Sequence, residues 1–405
     1  MKIQNTSTPV LVLNCKLGAL AIMRSLGSLG VRLYGVDDYR HSPGFLSHYC
    51  RKKFLMHFDE QREQEYLEYF SRLGKQLREQ SLLIPTSDEL SLLVAKYADQ
   101  LREYFIFPRN DHNLVSTLIS KEGMYNLARQ YDVPTPYTVF PKKLDDVLTY
   151  AEDAKFPVML KGIHGNRLAE RTGKKMVIVR SGEELVESYK VLEDPEHPNL
   201  MIQEYIPGGD DQIYIFNGYF NEKSECLSAF TGHKIRQFPV HIGCASLGVC
   251  EWNKTVADLT TNFMRSIGYK GVLDIGYRLD PRDGRYKVLD INPRVGQAFR
   301  LFVAENGMDV VRSQYLDLTG QEQIYPINPR EGRRWVIEDF DIVSSLHYHQ
   351  EGSLRFREWV RSFKKLEEGA WFSWKDPLPF LVMVARLLKK SFIWLLKKAG
   401  MFKRS

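Results

Sequence analysis

The sequence predicts a protein of the α/β and α+β classes whose chain opens with a parallel sheet. Residues 9–14 (PVLVLN) have the apolar pattern of a buried strand, 17–29 that of a helix, and 31–36 (VRLYGV) that of a second strand. A β-α-β opening of this kind is typical of parallel sheets. The proline-rich segment 132–141 interrupts regular structure and marks a boundary between structural units. Beyond it, strand and helix patterns alternate to about residue 320.

The pattern also predicts the elements around the later motifs. Residues 60–80 are helical in pattern, and 81–85 (SLLIP) form a strand that runs into residues 86–89 (TSDE). Such a cluster is typical of a helix N-cap at a strand's carboxyl end, where substrate sites often lie in open α/β sheets. A solvated cap without a ligand is the alternative. After the boundary we expect helices at 144–154 and 182–192, strands at 158–161, 176–180 and 200–204, and a glycine-containing polar loop at 162–175.

Length and composition indicate a soluble globular protein of two or three compact units. The chain has 405 residues, of which 43% are hydrophobic and 26% charged. Its five cysteines are scattered and form no C-x-x-C pair, which argues against a disulfide framework or a structural zinc site and fits a reducing cytosol. The first twenty residues lack a basic stretch followed by an apolar one, so we expect no secretory signal and a cytoplasmic location.

The positive charge of the chain is concentrated at its C-terminal end. Residues 375–405 hold eight basic residues and one acid, a net charge of +7, while the whole chain carries +6. Residues 1–374 are therefore near neutral. A near-neutral body does not favour a nucleic-acid-binding protein.

The octapeptide 287–294 (KVLDINPR) is the strongest chemical signal in the sequence. Residues 287–291 alternate as a strand, so Asp290 and Asn292, two positions apart, emerge on one face. An aspartate and an amide oxygen side by side are hard ligands suited to Mg²⁺. Arg294 follows on the same face, where it could neutralise charge on a transferring phosphoryl group. A strand end with a turn and an exposed arginine is the alternative.

A second strand pattern strengthens the metal hypothesis. Residues 271–279 (GVLDIGYRL) precede the turn-rich segment 280–284, so the two strands should form a hairpin. The hairpin would bring Asp274 close to Asp290 and Asn292. Two carboxylates that converge on one spot repel each other unless a cation lies between them.

With these motifs, residues 9–320 resemble the ATP-grasp carboxylate–amine ligases, and among them the ligases that include D-aspartate ligase and related amino-acid ligases. The resemblance implies an N-terminal Rossmann-like (pre-ATP-grasp) domain at 1–118, and a two-lobed ATP-grasp domain at 119–322 with a hinge near 203–211. A helical C-terminal extension at 323–405 would follow. ATP and Mg²⁺, or Mn²⁺ in its place, are the implied cofactors.

The resemblance also assigns the nucleotide contacts. Lys121, which opens a helix, and Lys161, which ends an apolar strand, correspond to lysines that contact ATP phosphates, although Lys121 judged alone would be a surface lysine. The segment 201–211 (MIQEYIPGGDD) resembles the hinge between the lobes, where the backbone and a glutamate contact adenine and an acid binds the ribose hydroxyls. The implied cofactor-binding residues are Lys121, Lys161, Gln203, Glu204, Tyr205, Ile206 and Asp211.

Two further segments match the family near the triphosphate. The segment 231–244 (TGHKIRQFPVHIGC) resembles the strand and turn that face the phosphates, and Lys234 and Arg236 alternate on one strand face there. An exposed strand face is the alternative. The segment 162–171 (GIHGNRLAER) resembles, more weakly, the mobile loop that closes over the phosphates. Together with Arg294, Lys234 and Arg236 are the candidate catalytic residues.

One position departs from the family pattern. The family often has Glu or Gln two residues after the aspartate that corresponds to Asp274, and here that residue is Gly276. Asp274, on the same strand face, would then be the upstream metal ligand beside Asp290 and Asn292, either directly or only through water, and the pattern does not decide between one and two metal ions.

These assignments imply an acyl-phosphate mechanism. A substrate carboxylate would attack the γ-phosphate of ATP, and an amine would then displace phosphate to give an amide, ADP and phosphate. The acid and the amine are small molecules that the sequence does not identify, and a cell-envelope precursor is one suggestion. The chain would contribute positioning and charge neutralisation.

Three other functions stay open. The fold could serve a carboxylase or carbamoylating enzyme, although no biotin-attachment or glutaminase region is visible. A catalytically weakened nucleotide-binding protein tethered at a membrane would fit Gly276 and the basic tail. A dinucleotide or sugar-nucleotide enzyme is disfavoured, because the N-terminal glycines do not form G-x-G-x-x-G.

The C-terminal segment 377–398 predicts a basic amphipathic helix. Arg386, Lys389, Lys390 and Lys397 fall on one side of a helical projection and leave a broad apolar face. Charges in the middle argue against a bilayer-spanning helix and favour one that lies on an anionic membrane surface, with the protein peripheral at the inner face. A helix packed on its own body or on a partner subunit is the alternative, and a homodimer stays open.

Overall fold

The computed structural model describes residues 1–57 and 63–398, which form three β-sheets flanked by helices. The sheets have five, four and seven strands in chain order of their first members. All five cysteines are free thiols. Among the described residues, no helix is long and apolar enough to cross a membrane.

The N-terminal sheet is parallel throughout. Its strands are β1 (Val10–Leu13), β2 (Leu33–Asp37), β3 (Cys50–Leu55), β4 (Ser81–Pro85) and β5 (Phe105–Ile106), in the order β3-β2-β1-β4-β5. The accompanying helices are α1 (Leu17–Gly27), α2 (Pro43–Leu46), α3 (Glu63–Leu77), α4 (Asp88–Lys96) and α5 (Ala98–Leu101). Alternate residues of β1 enter two different cores, one shared with α1 and one with α3, so both faces of the sheet are covered.

The four-stranded sheet is antiparallel and follows a pair of helices. Its strands are β6 (Thr138–Val139), β7 (Val158–Gly162), β8 (Met176–Val179) and β9 (Leu200–Glu204), in the order β6-β9-β7-β8. The helices of this part are α6 (His112–Ile119), α7 (Lys121–Gln130), α8 (Leu144–Asp153), α9 (Gly165–Thr172) and α10 (Gly182–Leu192). Apolar residues of α8, α9 and α10 pack on the sheet in a separate small core.

The seven-stranded sheet holds the sequence motifs. Its strands are β10 (Ile213–Phe220), β11 (Cys226–Phe238), β12 (Cys244–Cys250), β13 (Gly271–Asp280), β14 (Arg285–Asn292), β15 (Arg334–Val336) and β16 (Leu366–Gly369). The order is β14-β13-β10-β11-β12-β15-β16, antiparallel except for the last pair. The helices after β10 are α11 (Lys254–Ser266), α12 (Val310–Leu318), α13 (Glu338–Gln350), α14 (Phe356–Arg361) and α15 (Leu378–Lys398).

Two expectations from the sequence are corrected by these elements. The segment 162–175 is not a polar loop throughout, because α9 forms within it and buries Leu168 against the sheet. The segment 323–405 is not only helical, because β15 and β16 extend the seven-stranded sheet beyond β12. The predicted helix at 60–80 is found as α3, and its first residues lie outside the described part of the chain.

Candidate functional site

The four-stranded and the seven-stranded sheets meet beside Asp290, whose side chain is 49% exposed, and we term this partly exposed region the cleft. Residues 205–212 connect the two sheets. β9 belongs to the first sheet and β10 to the second, so this segment is the covalent link between the lobes. Arg278 donates from Nε to the carbonyl of Ile206 at 3.0 Å and from its terminal nitrogen to that of Gly208 at 2.6 Å. Gly208 has φ +118°, a conformation that residues with a Cβ rarely adopt. The predicted hinge therefore has a defined, glycine-dependent path.

The hairpin of β13 and β14 brings the predicted metal ligands together. Asp274 lies directly opposite Asn292, and Gly276 lies opposite Asp290. These pairs are in regular register, so Asp274, Asp290 and Asn292 emerge on the same face of the sheet, and the register slips only beyond them, between Gly276 and Tyr277. The amide of Asn292 donates to Asp290 at 3.3 Å. Asp274, Asp290 and Asn292 thus form what we term the carboxylate–amide cluster.

The electrostatics of this cluster suit a cation. The pKa of Asp274 is raised to about 6, chiefly by burial, with Arg294 opposing the rise and the neighbouring Asp290 adding to it. Desolvation alone would raise the pKa of Asp290. The positive charge of Lys121 and the hydrogen bond that Lys121 donates outweigh this effect, so the pKa of Asp290 is lowered. A divalent cation near two adjacent carboxylates reduces the repulsion between their charges and stabilises both in the ionised form. The residues present therefore fit Mg²⁺.

The two lysines predicted to contact phosphates lie beside the cluster. Lys121, at the first position of α7, pairs with Asp290. Lys161, on β7 of the other sheet, has Nζ 3.4 Å from the side-chain oxygen of Gln203. Burial, together with the charge of Lys121, lowers the pKa of Lys161 to about 8. Because the charges of Lys121 and Lys161 act on each other, the binding of a highly charged anion between them would be favourable.

Arg294 connects the cluster to the N-terminal sheet. Its Nε donates to Asp88 at 2.6 Å, and a terminal nitrogen donates to Asn292 at 3.2 Å. Asp88 begins α4, next to the N-cap Ser87, within the TSDE segment that follows β4. The sequence indicated a ligand site or a plain helix cap at this segment, and the structure shows a cap that also reaches the cleft.

The predicted hinge residues differ in burial and in their contacts. Gln203 is buried and donates to Tyr125 and Thr138, each at 2.9 Å. The carboxylate of Glu204 accepts from Lys287 at 2.7 Å and from Arg282 at 2.9 Å, so it ties β9 to the β13–β14 hairpin. Ile206 is buried, Tyr205 and Asp211 are more exposed, and Asp211 lies at the edge of a separate cavity of about 560 Å³.

Lys234 and Arg236 do not project from one strand face. Residues 234 and 236 pair with adjacent positions of β12, so Ile235 forms a bulge that reverses the side-chain alternation. Lys234 donates to Gly243 at 2.7 Å and is close enough to Asp274 and Asp290 for their charges to raise its pKa, although burial lowers it more. Arg236 instead forms two 2.8 Å bonds with the buried Asp341 of α13.

Much of the segment 162–171, which resembles the loop over the phosphates, lies in α9. Arg167, on α9, donates to Asp194 at 3.3 Å and to the carbonyl of His197 at 3.1 Å, away from the carboxylate–amide cluster. For Asp210 the sequence favours a supporting or exposed position, and its side chain accepts a hydrogen bond from Gln237 at 2.9 Å and another from Tyr348. Gln237 in turn accepts from Lys234 at 3.1 Å, so Asp210 supports a predicted cleft lysine.

Gly276 leaves space where the family often has an acid. A Cβ at this position would meet no atom within 4 Å. By contrast, a Cβ at Gly296 would lie 2.1 Å from a carboxylate oxygen of Asp274, so that glycine allows the cleft wall to approach the cluster. In the part of the chain that the structure describes, no group of three or more His, Cys, Asp or Glu side chains is placed to hold a metal. The cluster of two carboxylates and one amide is the set available.

Comparison with known proteins agrees with this architecture. No family model matches the chain. The N5-carboxyaminoimidazole synthetase from Staphylococcus aureus superposes with a TM-score of 0.62 at 10% identity, over 86% of this chain and 88% of that protein. The biotin carboxylase domain of the Hydrogenobacter thermophilus 2-oxoglutarate carboxylase, in complex with MgADP, ADP and bicarbonate, has a TM-score of 0.60 at 16% identity, over 82% and 74%. The chain has the ATP-grasp fold.

Two amino-acid ligases are also similar to this ATP-grasp protein. The L-amino acid ligase from Bacillus licheniformis has a TM-score of 0.57 at 14% identity, over 81% of this chain and 76% of that protein. The D-aspartate ligase of Enterococcus faecium (strain Aus0004) is 28% identical over 260 residues, which are 61% of this chain and 62% of the relative. The matched region thus spans somewhat less than two thirds of the relative's length.

Proposed function

We propose that this protein is an ATP-dependent carboxylate–amine ligase that forms an amide through an acyl-phosphate. The observation that carries the proposal is the convergence of the carboxylate–amide cluster with Lys121, Lys161 and Arg294 in one cleft between the lobes. A site of this kind neutralises a triphosphate and holds an attacking carboxylate in line with it. The similarity to a D-aspartate ligase and to an L-amino acid ligase supports the same chemistry.

Each side chain has a role in this proposal. Lys121 and Lys161 bind the phosphates, and Lys234 and Arg294 neutralise the charge that develops on the transferred phosphoryl group. The backbone of residues 204–206 binds adenine, with Gln203 holding its strand in place, and Asp211 binds the ribose. Arg236 holds α13 through Asp341 and takes no part in the chemistry.

Asp274, Asp290 and Asn292 would hold Mg²⁺, with Mn²⁺ as a substitute. When bound, the metal lowers the net charge of the phosphates and so favours attack by an anionic carboxylate. Lys121 pairs with Asp290. A metal held by Asp290 would compete for that carboxylate, and Lys121 would then be available to bind phosphate.

For substrates, we propose an amino acid as the acid, with D-aspartate the first to test because of the Enterococcus relative. The amine is proposed to belong to a cell-envelope precursor, and the protein to act at the inner face of the membrane. Phosphate release from ATP, measured with pairs of amino acids and envelope-type amines, tests this proposal. Release that needs both an acid and an amine, with an amide as product, is the expected result.

The open position at Gly276 favours a second candidate, a weakened nucleotide-binding protein. In that case ADP and ATP would bind in the presence of Mg²⁺, but no acid–amine pair would accelerate phosphate release. Bicarbonate serves as a separate arm, because bicarbonate-dependent release would indicate a carboxylase-type reaction. Either result would contradict the ligase proposal.

A further inference from the structure

The C-terminal helix α15 is held on the N-terminal domain by a buried ion pair just before its start. Asp376 is 1% exposed and accepts hydrogen bonds from Arg24 of α1 at 3.0 Å, Ser47 at 2.8 Å and the backbone of His48 at 3.0 Å. Arg24 also donates to the carbonyl of Trp371 at 2.7 Å. These contacts fix where α15 begins and the direction in which it leaves the body of the protein.

One side of α15 is packed against that domain. Met383 is buried, and Phe380, Val384 and Leu387 pack beside it in the largest core. Arg386 donates to the carbonyl of His41 at 2.8 Å, and its guanidinium lies 5.5 Å from the centre of the Tyr39 ring. The orientation of the helix about its own axis is therefore set by the body of the protein.

The opposite side of α15 is an exposed apolar stripe. The outer stripe consists of Leu378, Leu381, Ala385, Leu388 and Phe392, which recur every three or four residues and fall within an arc of about 80°. Leu388 is 65% exposed and Phe392 61% exposed. Trp374, just before the helix, continues the stripe and is 86% exposed. Large apolar side chains gathered in this way mark an interaction surface.

Basic side chains border the outer stripe. Lys375 follows Trp374, and Lys389 lies at one edge of the stripe; both are exposed. The sequence of α15 contains no acidic residue. A second copy meeting this face would place like charges opposite like charges, because a two-fold interface brings each patch against itself. The charges instead complement an anionic surface.

We infer that α15 is an interfacial anchor whose partner is an anionic lipid bilayer. Over the described side chains the outer stripe runs about 21 Å along the helix, which is enough for the helix to lie in the headgroup boundary of a bilayer. Trp374 would sit at the interface, with Lys375 and Lys389 reaching the phosphates. The inference deepens the proposed location at the membrane, and it does not depend on the ligase chemistry.

Vesicle binding by the full chain, without substrates, tests the inference. We expect co-sedimentation with phosphatidylcholine vesicles that contain phosphatidylglycerol, and weak or no binding to phosphatidylcholine alone. Leu388→Gln and Phe392→Gln should each weaken binding about tenfold, because each removes a large apolar group from the interface. Lys375→Gln together with Lys389→Gln should weaken it about 25-fold, on the basis of about fivefold per charge.

Matched variants on the distant lobe serve as controls. Lys142→Gln with Lys190→Gln removes two exposed lysines, and Val191→Gln replaces an apolar side chain that is 74% exposed. The controls should bind like the unmodified protein, and thermal unfolding should show that all variants fold.

Equal binding by stripe and control variants would overturn the inference. So would absence of binding to the anionic vesicles, or a dimer in light scattering that Leu388→Gln dissociates. Since these assays contain no ATP, failure of the ligase proposal would appear separately, as vesicle binding without turnover.

Discussion

Asp290 is the residue on which most contacts of the cleft converge, since Lys121 and Asn292 both bond to it. Asp290→Asn keeps the size of the side chain and removes the charge that a metal requires. We expect turnover to fall by several orders of magnitude, because charge neutralisation is the main contribution of the site. Steady-state phosphate release measures the effect, and thermal unfolding should show a folded protein.

Asp283→Asn is the matched control for this prediction. Asp283 lies in the turn of the same β13–β14 hairpin, and its side chain is 40% exposed. It should leave turnover within a few-fold of the unmodified protein. Near-normal activity in Asp290→Asn, beside a normal Asp283→Asn, would contradict the role of the carboxylate–amide cluster.

Lys161 makes nucleotide binding depend on pH. Its pKa is lowered to about 8 by burial and by Lys121, and phosphate charge favours its protonated form. Above pH 8 the free protein binds fewer protons at this site than the complex does, so affinity for ADP falls as pH rises, by about tenfold per pH unit. Calorimetric titration between pH 7 and 9.5 measures this slope. Lys161→Arg keeps its charge over the whole range and should flatten the profile, and an unchanged slope would refute the assignment.

Arg236 is predicted to matter for stability and not for catalysis. Arg236→Met leaves the buried Asp341 without its cationic partner, so the free energy of unfolding should fall by about 3–5 kcal/mol. Adding Asp341→Asn removes the unpaired charge and should restore part of that loss. Urea unfolding measures both variants. If the folded double variant loses turnover by orders of magnitude, the side chain has a catalytic role after all.

The residue-scale prediction from sequence succeeded where chemistry and local geometry coincide. Asp274 was expected near Asp290 because a short turn joins their strands, and a hairpin fixes which residues face each other. The prediction that Arg236 shares a strand face with Lys234 is wrong, because the bulge at Ile235 interrupts the alternation of side chains along β11. That bulge depends on pairing with β12, and the partner Asp341 lies 105 residues away, so no local pattern could reveal it.

At the scale of elements, the contacts just before α15 allow a direct test of what holds this helix on the N-terminal domain. Asp376→Ala removes a buried carboxylate that Arg24 and Ser47 contact, so Arg24 is left with an uncompensated charge. We expect the free energy of unfolding to fall by about 3 kcal/mol and trypsin to cleave α15 faster. Asp258→Ala, which removes an exposed partner of Lys254, should change neither. Unchanged proteolysis in Asp376→Ala would mean that other contacts hold the helix.

Elements were predictable where their own sequence decides them. The strand at 81–85, the helix at 182–192 and the strand at 200–204 have the predicted bounds. The sequence of α9 is polar and does not predict a helix, because this helix depends on the burial of Leu168 against β7. β16 (LEEG) is short and polar, and it becomes a strand only because β15 supplies its hydrogen bonds.

At the scale of the whole molecule, the cleft is assembled from all three sheets. Asp88 follows the N-terminal sheet, Lys161 lies in the four-stranded sheet, and the carboxylate–amide cluster lies in the seven-stranded sheet. The class of fold could be anticipated from the motifs and their order, because each motif ends or begins a strand. The way the C-terminal segment returns to the N-terminal domain through Asp376 could not, since that contact joins residues more than 300 positions apart.

The central claim concerns the fate of the oxygen atoms of the acid substrate. With the acid that supports turnover, labelled with ¹⁸O in its carboxylate, an acyl-phosphate mechanism transfers one labelled oxygen to inorganic phosphate when the amine attacks. Mass spectrometry of the released phosphate measures this transfer directly. We predict one ¹⁸O per phosphate, with ADP as the other product. Unlabelled phosphate, or AMP and pyrophosphate as products, would contradict the mechanism.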